Sequence, residues 1–145
     1  WTVVPEELRF DCGTEVMKDW SRVMSTVFNG SSNIVQHGAL AALDSQGLAE
    51  MKKTVDYYME NARIIKVALE KKGVKTYGGD NAPYIWAHFP GKDSWDVFED
   101  ILKRAHVVTT PGVGFGNAGQ GFVRFSAFGH REDIQEAVER LKEKL

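Results

Sequence analysis

The chain has 145 residues, 43% of them hydrophobic and 26% charged, with a formal net charge of −2; this is the size and balance of one ordinary globular domain with a real core. Lys and Arg are scattered without a basic stripe, so no nucleic-acid partner is indicated, and no apolar run is long enough to cross a bilayer. The single Cys12 excludes an internal disulfide framework and favours a reducing compartment.

Trp1-Thr2-Val3-Val4, apolar and halted by Pro5, predicts the end of a buried strand. The first residue is not Met, and residues 1–145 are not expected to hold a signal or transit segment. The expectation is that sequence upstream of Trp1 is missing, along with any localisation signal. Pro5 to Leu8 begins a short connection. A helical stretch follows from Glu15 to about Phe28. Asn29-Gly30-Ser31-Ser32-Asn33 breaks it with turn formers, and Ser32 or Asn33 can cap the next element. Ile34 to Leu43, rich in Ala, predicts a helix that packs closely against a neighbour.

The clearest periodicity comes next. Leu48, Met51, Val55, Tyr58, Ala62, Ile65 and Leu69 recur at steps of three and four, and Gly73 supplies a stop. The predicted helix is roughly 36 Å long at 1.5 Å per residue. The spacing also fits a coiled coil, but the run is short and lacks a consistent flanking charge pattern. A long helix lying on a sheet is the better reading. Val74 to Tyr77 reads as a strand, Gly78 to Asn81 as a turn, and Tyr84 to Phe89 as a second strand. Asp93 or Ser94 caps a helix with Phe98, Ile101, Leu102 and Ala105 on one face. His106 to Thr110 is read as a third strand, Pro111 to Gly121 as a glycine-rich loop, and Phe122 to Ala127 as a fourth strand. A last helix carries Ile134, Ala137, Val138, Leu141 and Leu145. The order predicts an α/β sandwich lobe, a small sheet covered by helices.

Few residues offer chemistry. Gly114-Phe115-Gly116-Asn117-Ala118-Gly119 matches the dinucleotide pattern letter for letter. That motif works by pointing a helix N-terminus at the pyrophosphate, and here a strand follows instead. The loop therefore reads as a connection between strands, one that can border a site. His37, His88, His106 and His130 show no metal-ligand spacing, and no metal site is expected. Cys12, beside Asp11, lacks the electropositive setting of a reactive thiol, and no serine sits in a nucleophile elbow. Arg124 stands out among Phe122, Val123, Phe125 and Ala127. A guanidinium in such a strand needs a partner, and its planar fork suits a carboxylate. An internal ion pair, or a solvated strand face shared with Phe122, is the stronger explanation on the local residues alone.

Several runs together resemble the LL-diaminopimelate aminotransferase family. They are Phe28-Asn29-Gly30-Ser31-Ser32-Asn33-Ile34-Val35-Gln36, Tyr77-Gly78-Gly79 with Ala82-Pro83-Tyr84, Ser94-Trp95-Asp96-Val97-Phe98, Val108-Thr109-Thr110-Pro111-Gly112 and Gly121-Phe122-Val123-Arg124 continuing to Ser126-Ala127-Phe128-Gly129. The resemblance covers essentially the whole chain in order. It implies the α/β fold of a fold-type I aminotransferase: residues 1–46 as the end of the large cofactor-binding domain, and 47–145 as the long connecting helix and small C-terminal domain. It implies pyridoxal 5'-phosphate as cofactor, amino-acid and 2-oxo-acid substrates, and a homodimer with shared active sites. The implied reaction moves an amino group between LL-diaminopimelate or tetrahydrodipicolinate and 2-oxoglutarate or glutamate, in lysine biosynthesis. The implied location is cytoplasmic, or the plastid stroma in a plant or alga.

The resemblance also assigns residues. Arg124 matches the arginine that grips the substrate α-carboxylate. Asn29 matches the asparagine that reaches the cofactor and substrate region across the dimer interface. The aldimine-forming lysine and a phosphate-binding arginine match positions before Trp1, so this chain alone is expected to be inactive. Val113, Asn117 and Gln120 stand where the family leads us to expect Ser, Pro or a similar turn residue, and Glu. His37 replaces an expected small residue. These departures spare Asn29 and Arg124 but leave substrate choice open, since a related plant branch acts on lysine in defence signalling. A cofactor-free association domain is the reading outside enzymology.

Overall fold

Two units make up the chain, Trp1–Leu48 and Ala49–Leu145, and the computed structural model describes residues 2–28 and 30–145. In the first unit, an isolated antiparallel bridge pairs Arg9 with Glu15. The Val16 amide donates to the Leu8 carbonyl at 3.0 Å, which turns the chain into helix α1 (Val16–Thr26). Helix α2 (Asn33–Leu43) starts at the N-cap Ser32, whose hydroxyl accepts from the Val35 amide at 3.4 Å. Neither helix fully buries a side chain among the described residues. Thr2–Val4 carry no strand, which corrects the sequence expectation, while Trp1 lies outside the described residues. A strand persists only when its backbone donors and acceptors find a ladder partner, and the described residues pair none with Thr2–Val4.

Helix α3 (Ser45–Lys71) has 27 residues and a length of about 40 Å. Gly73 ends it in the left-handed region (φ +78°). Its amide donates to the Glu70 carbonyl at 2.9 Å, and the Val74 amide reaches back to Leu69 at 3.1 Å, closing the last turn. The second unit then builds four strands: β1 (Lys75–Gly78), β2 (Tyr84–His88), β3 (Thr110–Pro111) and β4 (Phe122–Ser126). They lie in the order β1-β2-β4-β3, antiparallel throughout. Helix α4 (Ser94–Ala105) separates β2 from β3, and helix α5 (Arg131–Lys144) follows β4.

Period two divides the sheet into two unlike faces. Ile85, Ala87, Val123 and Phe125 point into the core. There they join Ala62, Ile65 and Leu69 of α3, Val97, Ile101 and Ala105 of α4, and Ile134, Val138 and Leu141 of α5. The stripe on α3 is therefore a sheet-packing face over its C-terminal half, while Leu48, Met51 and Val55 on the same stripe are exposed. The opposite sheet face presents Tyr84, Trp86, His88, Phe122 and Arg124, all half-buried.

Two differences from the sequence reading have local causes. The strand expected over His106–Thr110 is reduced to Thr110–Pro111. His106 closes α4 in the left-handed conformation (φ 54°), so the chain leaves the helix turned away from the extended region. Only Thr110 and Pro111 reach register with β4, opposite Arg124 and Val123. On α4, the buried face is Ser94, Val97, Ile101 and Ala105, with Phe98 and Leu102 half-buried beside it.

Asn61 is a further core element that periodicity did not expose. It is fully buried in α3. Its amide donates to the Ala127 carbonyl at 3.2 Å and the Gly129 carbonyl at 3.0 Å, and its side-chain oxygen accepts from Arg131 Nε. Arg131 also donates to the Tyr57 carbonyl at 3.0 Å, and its backbone amide to the Tyr57 hydroxyl at 2.6 Å. This network ties the end of β4 and the start of α5 to α3, and so holds β4, the strand that carries Arg124.

Candidate functional site

Arg124 lies at the middle of β4, with Trp86 of β2 and Thr110 of β3 as its cross-strand partners. A central antiparallel strand is the stiffest place the sheet offers, since both of its edges are bonded. Tyr84, two residues from Trp86 on the same face, is the diagonal neighbour of Arg124. The Arg124 guanidinium carbon sits 4.4 Å from the Tyr84 ring centre and 4.5 Å from that of Phe115. Phe115 in turn meets the Trp86 ring edge-on at 5.2 Å.

The charge has no acidic partner among the described residues. Every ion pair found there joins other groups, and Arg124 Nε is buried without a hydrogen-bond partner. Of the explanations open at the level of sequence, the internal ion pair is absent among the described residues, and the strand face is aromatic and half-buried. Aromatic faces attract the cation but satisfy none of its N–H donors. An unsatisfied buried donor on a charged group is costly, and a carboxylate presented to the guanidinium fork removes that cost.

The glycine-rich segment 111–121 brings Phe115 to this place. It forms two short 3-10 turns, Gly112–Phe115 and Asn117–Gly119, followed by the strand β4 and no helix. The dinucleotide resemblance of the motif is thus one of letters only. Gly112 and Gly119 allow the turns to touch: a Cβ on Gly112 would lie 2.2 Å from the Gly119 carbonyl oxygen. The segment is also tied to the start of α4. Ser94 Oγ donates to the Gly119 carbonyl at 3.0 Å, and Gln120 Nε2 donates to Asp93 Oδ2 at 2.7 Å. Asp93 simultaneously caps α4, its Oδ1 accepting from Trp95 N at 2.7 Å. The Gln120 hydrogen bond, then the Trp95 amide, hold the Asp93 carboxyl below the ordinary carboxylate range. Phe115 also borders an open depression of about 320 Å³, lined with Tyr77, Trp86, Ala118, Gly119 and Phe122.

Asn29, the other residue singled out in the sequence, lies outside the described residues. His37, His88, His106 and His130 gather at no common point: among the described residues no group of three or more His, Cys, Asp or Glu is arranged to hold a metal ion. Nor is any helix there long and apolar enough to cross a membrane. Cys12 is exposed, and its thiol is held below the ordinary value by hydrogen bonds from Thr14. Sequence reasoning missed Tyr84, Phe115 and Asn61. Alternation in β2 was a usable signal for Tyr84, whereas Phe115 lies in a loop with no periodicity.

Comparison with known proteins completes the picture. The family pattern described as aminotransferase class I and II matches residues 10–141. A rice protein (Oryza sativa subsp. japonica) named probable LL-diaminopimelate aminotransferase, chloroplastic, is 57% identical over 143 residues, covering 99% of this chain and 31% of the relative. The LL-diaminopimelate aminotransferase of Protochlamydia amoebophila is 52% identical over 145 residues, covering 100% of this chain and 35% of the relative. The solved L,L-diaminopimelate aminotransferase from Chlamydomonas reinhardtii superposes with a TM-score of 0.93 at 58% identity, covering 97% of this chain and 35% of that one. The chain thus spans about a third of the length of these relatives. Its architecture is that of the matching part of a fold-type I aminotransferase. On this pattern match and these identities, the chain belongs to the class I and II aminotransferase family.

Proposed function

We propose that this chain is the C-terminal part of an LL-diaminopimelate aminotransferase, and that Arg124 holds the α-carboxylate of its substrates. In this reading, residues 1–46 close the large domain and 47–145 form the connecting helix and small domain. The single observation that carries the Arg124 assignment is its chemistry: a guanidinium on a central strand, flanked by two rings, with a buried Nε that has no partner. The site fits a planar anion with two acceptor oxygens. The relatives at 52–57% identity that bear the diaminopimelate name support the substrate assignment.

Pyridoxal phosphate, when bound, supplies a ring that accepts the electron pair left behind when the α-proton is removed. The part of this chain in that chemistry is orientation. Arg124 fixes the carboxylate, and with it the direction of the Cα–H bond, which lowers the barrier by restricting the reactants to a productive geometry. Asn29 is assigned to the cofactor and substrate region across a homodimer interface on the resemblance of its sequence run alone. The proton transfer itself is assigned to no residue of this chain. Of the two locations the resemblance implies, the plastid accords with the chloroplastic name of the rice relative.

The test is a comparison of amino donors on the full-length protein, loaded with pyridoxal phosphate, with 2-oxoglutarate as acceptor. Glutamate formation from LL-diaminopimelate, with lysine at least a hundredfold poorer in kcat/KM, is the expected result. Preference for lysine would move the protein to the lysine-directed relatives. Failure of the full-length protein to bind the cofactor would end the aminotransferase reading of this chain.

A further inference from the structure

The reading of Arg124 leaves the glycine-rich segment without a task, and three observations assign it one. Phe115 is the only described residue outside the sheet whose ring lies over the guanidinium, at 4.5 Å. It stands at the end of the first 3-10 turn, which packs on the second through Gly112 and Gly119, and the segment is tied to α4 through Ser94 and Gln120. It is braced on another side by the edge contact with Trp86 at 5.2 Å.

We infer that Phe115 is a positioning residue: the 112–119 segment lays its ring on Arg124 and so fixes the plane of the guanidinium fork for two-point capture of the substrate carboxylate. The inference rests on the assignment of Arg124 as the carboxylate group. The physical reason is conformational. An arginine has four side-chain torsions, and a strand fixes only where they begin. Tyr84, two residues from the cross-strand partner of Arg124, restrains the head group from the sheet itself. The plane remains free to pivot about its bond to the stem unless a second surface bears on it. Phe115 is that surface, and it places no acceptor against the N–H donors, so the fork stays available to a ligand. A carboxylate side chain in the same place would fix the plane equally well but would occupy the fork. Phe115 itself is 54% exposed, so its replacement removes the ring without opening the core.

The experiment uses the full-length protein with pyridoxal phosphate and 2-oxoglutarate as the probe, in four forms: parent, Phe115→Leu, Phe115→Tyr and Arg124→Lys. The dissociation constant is read by calorimetry, and KM and kcat are read separately. Phe115→Leu is expected to raise the dissociation constant and KM about three- to tenfold. Phe115→Tyr, which keeps the ring, is expected to stay within about twofold of the parent. If Phe115→Leu binds as the parent does while Arg124→Lys binds weakly, the positioning role is wrong and the carboxylate assignment stands. If Phe115→Tyr is as weak as Phe115→Leu, the ring is not the operative feature and the inference is overturned. If Arg124→Lys loses nothing, the carboxylate assignment fails and takes this inference with it.

Discussion

Replacing Arg124 by Lys keeps the positive charge and removes the fork. A lysine ammonium is a point donor on a flexible stem, so one of the two parallel hydrogen bonds to a carboxylate is lost. A hydrogen bond to a charged group contributes about 1.5–3 kcal/mol. The contacts with the Tyr84 and Phe115 rings, with centres at 4.4 and 4.5 Å, are weakened as well, but they exist with or without substrate, so that loss of about 0.5–1 kcal/mol falls on stability and not on affinity. The affinity loss is therefore about 1.5–3 kcal/mol, or roughly ten- to a hundred-and-fiftyfold. The assay is the KM for LL-diaminopimelate and for 2-oxoglutarate, together with the dissociation constant of 2-oxoglutarate. Both substrates present an α-carboxylate to the same group, so both KM values are expected to rise together. The stability of the protein is expected to change little, because Arg124 makes no ion pair among the described residues that the substitution breaks. An unchanged KM for both substrates would refute the reasoning and remove Arg124 from the site. A rise for only one substrate would show that the arginine reads something other than the shared carboxylate.

Other outcomes follow from the same contacts. Asn61→Ala leaves two carbonyls and part of the Arg131 guanidinium without their partners; only the Ala127 contact is fully buried, so at about 1–3 kcal/mol for a buried group left unsatisfied, urea denaturation should show a loss of at least about 1 kcal/mol. Ile85→Ala, at a fully buried position of β2, should lower stability by about 2–5 kcal/mol, read by the same titration. Gly112→Ala drives a Cβ to 2.2 Å from the Gly119 carbonyl oxygen and 2.7 Å from that of Phe122. Backbone on both sides must shift, so 2-oxoglutarate binding should weaken at least as much as in Phe115→Leu. The depressed Asp93 carboxyl, held by Gln120 and the Trp95 amide, gives a stabilising contribution that is full above the unfolded carboxylate value near pH 4 and is lost as pH falls through the lower folded value. The stability difference between parent and Asp93→Asn should therefore be constant above about pH 5 and shrink below about pH 4.

Much of the second unit was legible in the sequence because burial there follows a period. The alternation in β4 separates Val123 and Phe125 from Phe122 and Arg124, and the structure keeps that division. The three-four spacing in α3 correctly marks a helix and its buried Ala62, Ile65 and Leu69. It says nothing about what covers the stripe, and Met51 and Val55 are exposed on it. The third strand was misjudged because β propensity in Val107-Val108-Thr109 yields to geometry: a left-handed His106 at the helix end redirects the chain. The site itself was half legible. Arg124 announces itself as a charge in an apolar run. Phe115 reaches it only through loop closure, and Asn61 meets acceptors 66 and 68 residues away. No local pattern encodes contacts of that kind. The chemistry of Arg124 alone allows a carboxylate partner, and the resemblance of the ordered motifs around it implies one.

The account turns on whether a substrate carboxylate meets the Arg124 fork. A crystal structure of the full-length protein with 2-oxoglutarate tests that directly. It should place one carboxylate at about 2.7–2.9 Å from two guanidinium nitrogens of Arg124, with the Phe115 ring still lying over the same group. A carboxylate bound elsewhere, with Arg124 unengaged, would contradict it.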